Sequence, residues 1–202
     1  MRIGIELNGV LRDTLKKIQQ EYEKTYLGTW AASVTEEEET PFEHKVISEL
    51  TTLDIKNHLA FKDEDELYDF LYKENTMEIF GHAGSVEYSS MNDLNEFYIG
   101  IRDNHDILIV SDEIGKSKPA SLFFLAKFGC QVETVKFYCE TTINSMLDSI
   151  DVLLTANPKL LLNNPEGKIL IKFQTSYNEN IETKYSISNL KELKNKINEI
   201  YA

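Results

Sequence analysis

Apolar residues along this chain follow two alternating patterns, short runs with strand character and longer stripes with helical spacing. They take every second position from residue 3 to residue 7, and they fill every position of residues 107–110, as in a strand that is covered on both faces. Helical stripes separate these runs from one another. Repeated strand–helix units of this kind predict an α/β fold with a doubly wound parallel sheet. The strands are predicted to begin near residues 2, 107, 133, 151 and 168.

The stretch from residue 28 to residue 89 has a different pattern, with helical spacing and no strong strand signal. Asp63, followed by Glu66, predicts the start of one helix in it. We therefore predict that residues 28–89 form a small helical insertion, and that residues 1–27 and 90–202 form the α/β core. The first part of the insertion is predicted to be a helix with a stripe of Phe42, Val46, Ile47 and Leu50.

The loop after the first strand carries the most specific motif of the sequence. Residues 6–14 read Glu-Leu-Asn-Gly-Val-Leu-Arg-Asp-Thr. This stretch resembles the first motif of the haloacid dehalogenase-like (HAD) phosphatases, Asp-x-Asp-Gly-[Val/Ile]-[Leu/Ile]-x-Asp-[Ser/Thr]. The resemblance implies a nucleophilic carboxylate at the first position, a general acid/base at the third, and a magnesium ion beside them. Glu6 and Asn8 occupy those two positions here, so the frame of the motif is kept and its chemical groups are changed.

The remaining motifs resemble HAD motifs by position alone, and the order of elements resembles that of HAD phosphatases with a helical cap after the first helix. Residues 59–80 and 151–158 resemble the corresponding parts of the 5′(3′)-deoxyribonucleotidase branch. Ser111 ends the second strand, where the resemblance implies a hydroxyl that binds phosphate; otherwise it caps the next segment. Lys118 stands where some members carry a phosphate-binding lysine, but the nucleotidase branch has it after the third strand, where residues 139–142 contain none. Thr155 and Ala156 replace the paired acids that would complete the magnesium shell.

These replacements all weaken the chemistry that the resemblance implies. The carboxyl of Glu6 lies one methylene further out than that of Asp, and a misplacement of about 1 Å can cost on the order of 100-fold in rate. The amide of Asn8 cannot exchange the required proton, a loss of roughly 100- to 10,000-fold. We therefore expect no active catalytic residue, no metal ion and no cofactor, with magnesium needed only if the phosphatase is active after all.

Two other outcomes stay open at this stage. A rebuilt site could recruit other acids, of which we interpret Asp13 as structural and Asp112, Glu113 and Glu140 as facing solvent. Alternatively, a phosphate could bind without being cleaved. The groups that would hold such a phosphate are Gly9, Ser111, Lys118 and the backbone amides after Asn8.

Composition limits the classes of partner. The net charge of −13 disfavours nucleic acid and anionic membranes, and the acidic run of residues 36–39 is interpreted as a solvated loop. No apolar run reaches the roughly 18 residues of a membrane helix. The N-terminus lacks the pattern of a secretory signal, and the two cysteines show no metal-ligand spacing. We expect a protein in the cytoplasm or in a larger soluble assembly.

Two hypotheses follow from the sequence. The favoured one is a catalytically inactive HAD-like protein with a structural, assembly or regulatory role, whose partners are other protein subunits in a homo- or hetero-oligomer, conceivably those of a phage particle. The alternative is a magnesium-dependent phosphatase that acts on (deoxy)nucleoside monophosphates. Magnesium-dependent hydrolysis of a generic phosphate ester separates the two.

Overall fold

The computed structural model describes residues 1–28, 42–52, 54–163 and 165–201. The acidic run of residues 36–39 lies outside the described residues. The core is a six-stranded, wholly parallel sheet, which confirms the predicted fold class. Its spatial order is β3-β2-β1-β4-β5-β6. The strands are β1 (Arg2–Glu6), β2 (Asp106–Asp112), β3 (Thr134–Tyr138), β4 (Val152–Thr155), β5 (Ile169–Phe173) and β6 (Tyr185–Ile187).

Helices connect the strands and cover both faces of the sheet. The first helix continues as a π-helical turn, Glu23–Leu27, and short 3-10 turns precede β6 and the last helix. The helices are α1 (Thr14–Tyr22), α2 (Glu64–Asp69), α3 (Met91–Ile101), α4 (Ser117–Lys127), α5 (Ile143–Asp148), α6 (Pro158–Asn163) and α7 (Leu193–Tyr201). Among the described residues no helix combines the length and the apolarity that crossing a membrane would require.

Two separate apolar cores lie on the two faces of the sheet. Ile3, Ile5 and Ile109 point to the face that α3, α4 and α7 cover. Leu108 and Val110 point to the opposite face, against α5 and α6. Because both faces are buried, the central strands need nearly continuous apolar residues, which is the pattern that the sequence shows.

Strand order places the functional edge of the sheet. β1 pairs with β2 on one side and with β4 on the other, with Glu6 opposite Val110 and Ile5 opposite Leu154. The connections therefore run in opposite directions on the two sides of β1. In open α/β sheets such a switch point leaves a crevice beyond the carboxyl ends of the strands.

The residues between α1 and α3, here called the insertion segment (residues 42–89), contain α2 and several shorter turns. Asp63 caps α2 as predicted, because its side chain accepts a hydrogen bond from the backbone of Glu66 at 2.8 Å. The division of the chain at residues 28 and 89 stays a prediction.

The helix predicted for the start of the insertion segment is wrong. Residues 42–50 are not helical, and Val46 pairs with Leu59 in an antiparallel bridge. Val46 packs inward and Ile47 is exposed, so neighbouring side chains alternate as they do in a strand. Four apolar residues in nine positions fit both periods, and the hydrogen bond from the Ile47 amide to the His58 carbonyl, at 2.7 Å, settles the choice.

Near the C-terminus the sequence prediction missed β6. This strand has only three residues, too few to show a period of two. The cap of the final helical region is Asn189, whose side chain accepts a hydrogen bond from the backbone of Lys191. The hydroxyl of Ser188 donates to the carboxylate of Glu192 at 3.0 Å.

Candidate functional site at the carboxyl edge of the sheet

A cavity of about 780 Å³ opens at the switch point of the sheet. Its floor is formed by the ends of β1 and β3 and by the loop after β4. Part of its wall is contributed by four residues of the segment before α2, namely Thr51, Thr52, Asp54 and Lys56. Of the residues predicted for the site, Glu6, Asn8 and Gly9 line this cavity.

Glu6 ends β1, and its side chain is buried with an exposed fraction of 1%. Each carboxyl oxygen already accepts a hydrogen bond from a residue at the end of another strand. The phenol of Tyr138 at the end of β3 donates to Oε1 at 2.6 Å, and the hydroxyl of Thr155 at the end of β4 donates to Oε2. The carboxyl group is therefore bound between two protein donors at the base of the cavity.

Burial also changes the proton affinity of this group. Loss of solvation raises the pKa of Glu6 from 4.5 to about 7, although the hydrogen bonds from Thr155 and Tyr138 act in the opposite direction. Burial and the nearby Glu6 carboxyl together raise the pKa of the Tyr138 phenol far above its ordinary range. Tyr138 is therefore a hydrogen-bond donor to Glu6 throughout the neutral pH range.

Asn8 stands in the position of the general acid/base, but its side chain serves the loop. Its amide oxygen accepts hydrogen bonds from Arg12 at 2.7 Å and from the hydroxyl of Thr14 at 2.6 Å. Its amide nitrogen donates towards the hydroxyl of Ser111 at 3.4 Å and the carbonyl of Asp112 at 3.3 Å. Asn8 thus joins the loop after β1 to the end of β2.

Arg12, at the variable position of the motif, is completely buried. Its guanidinium pairs with the carboxylate of Glu113 at 2.6 Å, and both side chains have an exposed fraction of 0%. The same group donates to the hydroxyls of Thr14 and Ser121, at 3.1 and 2.6 Å, and to the carbonyl of Phe80 at 2.6 Å. Desolvation lowers the pKa of Arg12, and the charge of Glu113 opposes that shift.

The backbone of this loop is likewise engaged within the protein. The amide of Gly9 donates to the carbonyl of Arg12 at 2.9 Å, and the amide of Arg12 donates to the carbonyl of Leu7 at 2.8 Å. Gly9 has a φ of +76°, and a Cβ atom there would overlap the hydroxyl of Tyr177. Two of the amides that could hold a phosphate therefore have protein partners, and Tyr177 stands directly over the glycine.

The other predicted positions lie away from the cavity or behind its wall. Ser111 is fully buried, and its hydroxyl donates to the carboxylate of Glu113 at 2.8 Å. Lys118, in the first turn of α4, places its ammonium 5.6 Å from the centre of the Phe137 ring. Thr155 and Ala156 are buried beneath the floor, where Thr155 binds Glu6. The structure therefore does not bring Gly9, Ser111 and Lys118 together around one space.

The four acids considered as replacements lie in different surroundings. Glu113 was predicted to face solvent, and this is wrong, because it is buried as the counter-charge of Arg12. Asp112 was predicted likewise but is half-buried in the cavity wall; desolvation and Glu113 raise its pKa. Glu140 is exposed, as predicted. Asp13 caps α1 through a hydrogen bond from the backbone of Lys16.

Sequence reasoning missed several residues of the cavity. Tyr138 and Tyr177 sit over Glu6 and Gly9, and Lys56 and Lys159 bring two cations to the lining. Cys139 also lines the cavity, and the hydroxyls of Thr141 and Thr142 lower the pKa of its thiol to about 7. The sequence gives only weak signals for these residues. Tyr138 ends the third strand and Lys159 soon follows the fourth, which is consistent with a place at the carboxyl edge of the sheet.

The magnesium ion that the fold implies needs several carboxylate oxygens in near-octahedral geometry. Among the described residues, no three His, Cys, Asp or Glu side chains come together in a way that could hold a metal ion. The oxygens of Glu6 already have two donors, and Thr155 and Ala156 supply no carboxylate. The donor set at this edge therefore does not fit a magnesium site.

Comparison with known proteins defines the class of the fold. The chain is similar to a crystal structure from Burkholderia xenovorans LB400, a protein provisionally assigned as a haloacid dehalogenase-like hydrolase. The TM-score is 0.58 at 12% sequence identity, and the match covers 100% of this chain and 98% of that one. No protein-family model matches the sequence, and no curated protein sequence matches it. The likeness shows that this chain has the fold of HAD-like hydrolases.

Proposed function

We propose that this protein is a HAD-like protein of the nucleotidase type with degenerate motifs, and that it acts through protein contacts in a structural, assembly or regulatory role. The observation that carries the proposal is that both side chains at the implied catalytic positions are already hydrogen-bonded to other side chains of the protein. Tyr138 and Thr155 bind Glu6, and Arg12 and Thr14 bind Asn8. Neither side chain has the freedom that phosphoryl transfer requires.

Glu6 and Asn8 also lack the chemical properties that phosphoryl transfer requires of these two positions. A carboxylate nucleophile needs an oxygen that can approach the phosphorus, and the negative charge of the substrate must be matched by cations or donors. Glu6 has a pKa of about 7, so near neutral pH about half of it is neutral and a poor nucleophile. Asn8 cannot transfer a proton at any pH. Both defects act in the same direction.

An exposed apolar patch supports the interaction role. Met77 and Phe123 have exposed fractions of 46% and 40%, and both side chains lie beside Gly81. The ring of His82 lies 5.2 Å from that of Phe123 and extends the patch. Neighbouring apolar side chains that remain in water are typical of surfaces that bind another protein.

The phosphatase of (deoxy)nucleoside monophosphates is the second candidate, and the cavity is the observation that favours it. Its volume of about 780 Å³ lies within the range of small-molecule sites. Lys56 and Lys159 could attract a phosphate to its lining. In this candidate, magnesium would have to bind without the acids missing at residues 155 and 156.

Hydrolysis assays distinguish the two candidates. We expect the purified protein to release no phosphate from an aryl phosphate or from a panel of nucleoside monophosphates, with or without MgCl₂. An active magnesium-dependent phosphatase controls for the assay conditions, and the variant Glu6→Asp with Asn8→Asp tests whether these two acids restore activity. Magnesium-dependent turnover by the unmodified chain would overturn the proposal.

The interaction role needs its own measurement. Light scattering gives the mass in solution, and the chain alone weighs 23.3 kDa. We expect either an oligomer or a stable complex with a purified partner, and we expect Met77→Ser with Phe123→Ser to weaken it. Lys118→Ser, on the same helix as Phe123 but outside the patch, is the control. A strict monomer without any partner would contradict the proposal.

A further inference from the structure

The guanidinium of Arg12 forms hydrogen bonds with several separate parts of the molecule. Its partners are Asn8 and Thr14 in its own loop and α1, Glu113 after β2, Ser121 on α4, and the carbonyl of Phe80 in the insertion segment. The hydrogen bonds to Phe80 and Ser121 are both 2.6 Å and come from the same nitrogen, Nη1. One nitrogen of the guanidinium thus joins the insertion segment directly to the core.

A polypeptide inserted between two elements of a core can move as a unit unless a large apolar interface or specific bonds prevent it. In this protein the interface is apolar as well as hydrogen-bonded. Ile79 and Phe80 of the insertion segment share a buried cluster with Ile18 and Tyr22 of α1 and with Ala120 of α4. In this cluster, side chains of the insertion segment and of the α/β core are therefore buried together.

The backbone next to Arg12 closes the same junction. The amide of Asp13 donates to the carbonyl of Gly84 at 2.9 Å, and the amide of Val86 donates to the carbonyl of Leu11 at 3.3 Å. Arg12 itself pairs with Ser85 in an antiparallel bridge. The end of the insertion segment is thus held to the loop on both sides of the buried guanidinium.

We propose that Arg12 clamps the insertion segment to the core, so that this segment does not open and close over the cavity as a lid. Glu113 holds Nη2 of the guanidinium, while Nη1, on the other arm of the planar fork, donates to both Phe80 and Ser121. A lysine at this position could pair with Glu113, but its single ammonium could not reproduce the fork.

The test uses thiol labelling of the full-length chain in a background without Cys130 and Cys139. Ala120→Cys places a thiol under the insertion segment, where the native alanine has an exposed fraction of 3%. Val152→Cys places a reference thiol in the centre of the sheet, on β4. If the clamp holds, both thiols react only through global unfolding, and their labelling rates agree within about tenfold.

The clamp is then weakened by Arg12→Lys. We expect labelling at position 120 to accelerate by about 100-fold relative to position 152, because opening of the insertion segment no longer breaks the fork. Ile171→Val on β5 is the control, since it lowers global stability and should accelerate both thiols equally. Should Arg12→Lys fail to fold, Arg12→Gln with Glu113→Gln replaces it, because it leaves no unpaired buried charge.

Two results would overturn the proposal. In the unmodified background, labelling at position 120 that is far faster than at position 152 would show that the insertion segment opens regardless of Arg12. Equal acceleration of both thiols by the Arg12 variants would show that Arg12 supports the core as a whole. Neither result depends on whether the protein hydrolyses phosphate esters.

Discussion

Glu6 is a carboxyl group at the end of β1 that is buried between a phenol and a hydroxyl, and it forms no ion pair with any residue that the structure describes. Burial disfavours the ionised form and raises its pKa to about 7, against 4.5 in a solvated chain. Between these two pH values the folded protein therefore holds a proton that the unfolded chain has lost. Stability linked to Glu6 is present below pH 4.5 and is lost as the pH rises through about 7.

We expect Glu6→Gln to remove this dependence on pH. As the pH rises from about 5 to about 8, the unfolding free energy of the wild type should fall relative to that of the variant, by up to about 3 kcal/mol. Urea unfolding of both proteins at a series of pH values measures the difference. The raised pKa of Asp112 affects both proteins and largely cancels. Parallel curves for the two proteins would show that Glu6 does not hold its proton on folding.

Gly9 provides a second prediction, since its backbone conformation and its neighbour both exclude a side chain. Gly9→Ala adds left-handed strain and an overlap with Tyr177, so we expect a loss of about 2–4 kcal/mol in unfolding free energy. Gly129→Ala is the matched control, because Gly129 has a φ of +70° and open space around it. It should cost about 1 kcal/mol. Equal losses at the two glycines would mean that Tyr177 does not press on Gly9.

The loop from residue 7 to residue 13 is held in shape by hydrogen bonds from its own side chains. Asp13 caps α1, and Thr14 binds the loop through Asn8. The amide of Asn8 serves as both acceptor and donor. Arg12 brings the positive charge that a buried Glu113 requires.

We expect the buried ion pair of Arg12 and Glu113 to contribute far more to the free energy of unfolding than an exposed ion pair does. Arg12→Met leaves the carboxylate of Glu113 buried and unpaired, and it should cost about 3–5 kcal/mol of unfolding free energy. Arg2→Met removes an exposed pair with Asp151 at the other end of β1, and it should cost less than about 1 kcal/mol. Denaturant unfolding at neutral pH provides the comparison. Similar losses would mean that solvent reaches the Arg12 network.

The whole molecule carries a net charge of −13. Mutual repulsion of the acidic groups destabilises the compact state and is screened as salt shortens the Debye length from roughly 30 Å at 0.01 M to about 10 Å at 0.1 M. Added salt should therefore stabilise the folded protein by general screening, without binding at a specific ion site.

We expect NaCl to raise the melting temperature in this range, and MgCl₂ at the same ionic strength to raise it by a similar amount. The donor set at the sheet edge does not fit a dedicated magnesium site, so screening should be the main effect of both salts. Thermal unfolding followed by circular dichroism measures both series. A further increase with MgCl₂ that saturates at millimolar concentration would contradict this expectation, because it would indicate binding to the folded state.

Much of the fold could be predicted from the sequence because the spacing of apolar residues along a strand reflects which of its faces are buried. Continuous apolar residues in β2 required cover on both faces, and both faces are covered. The same reasoning failed for residues 42–50, where a short apolar pattern fits helix and strand equally well. It also failed for Glu113, because acids at strand ends usually face water and only a buried partner reverses that preference.

The candidate site was predictable in part for a related reason. Glu6, Asn8 and Gly9 follow β1 in the chain, so their common location at the sheet edge is a local property. Tyr138 and Thr155 reach Glu6 from 132 and 149 residues away, through strands whose order the chain's periodicity does not specify.

It followed from the sequence alone that β1 ends in a tight loop, that the sheet is parallel and buried, and that Glu6 and Asn8 stand where the motif it resembles has two acids. Only the three-dimensional structure could show which groups these two residues contact. It set Glu6 between Tyr138 and Thr155, and it closed Arg12 inside a network that reaches Phe80. The physical reason is that desolvation and hydrogen-bond partners depend on which distant elements surround a side chain, whereas local period depends only on its neighbours in the chain.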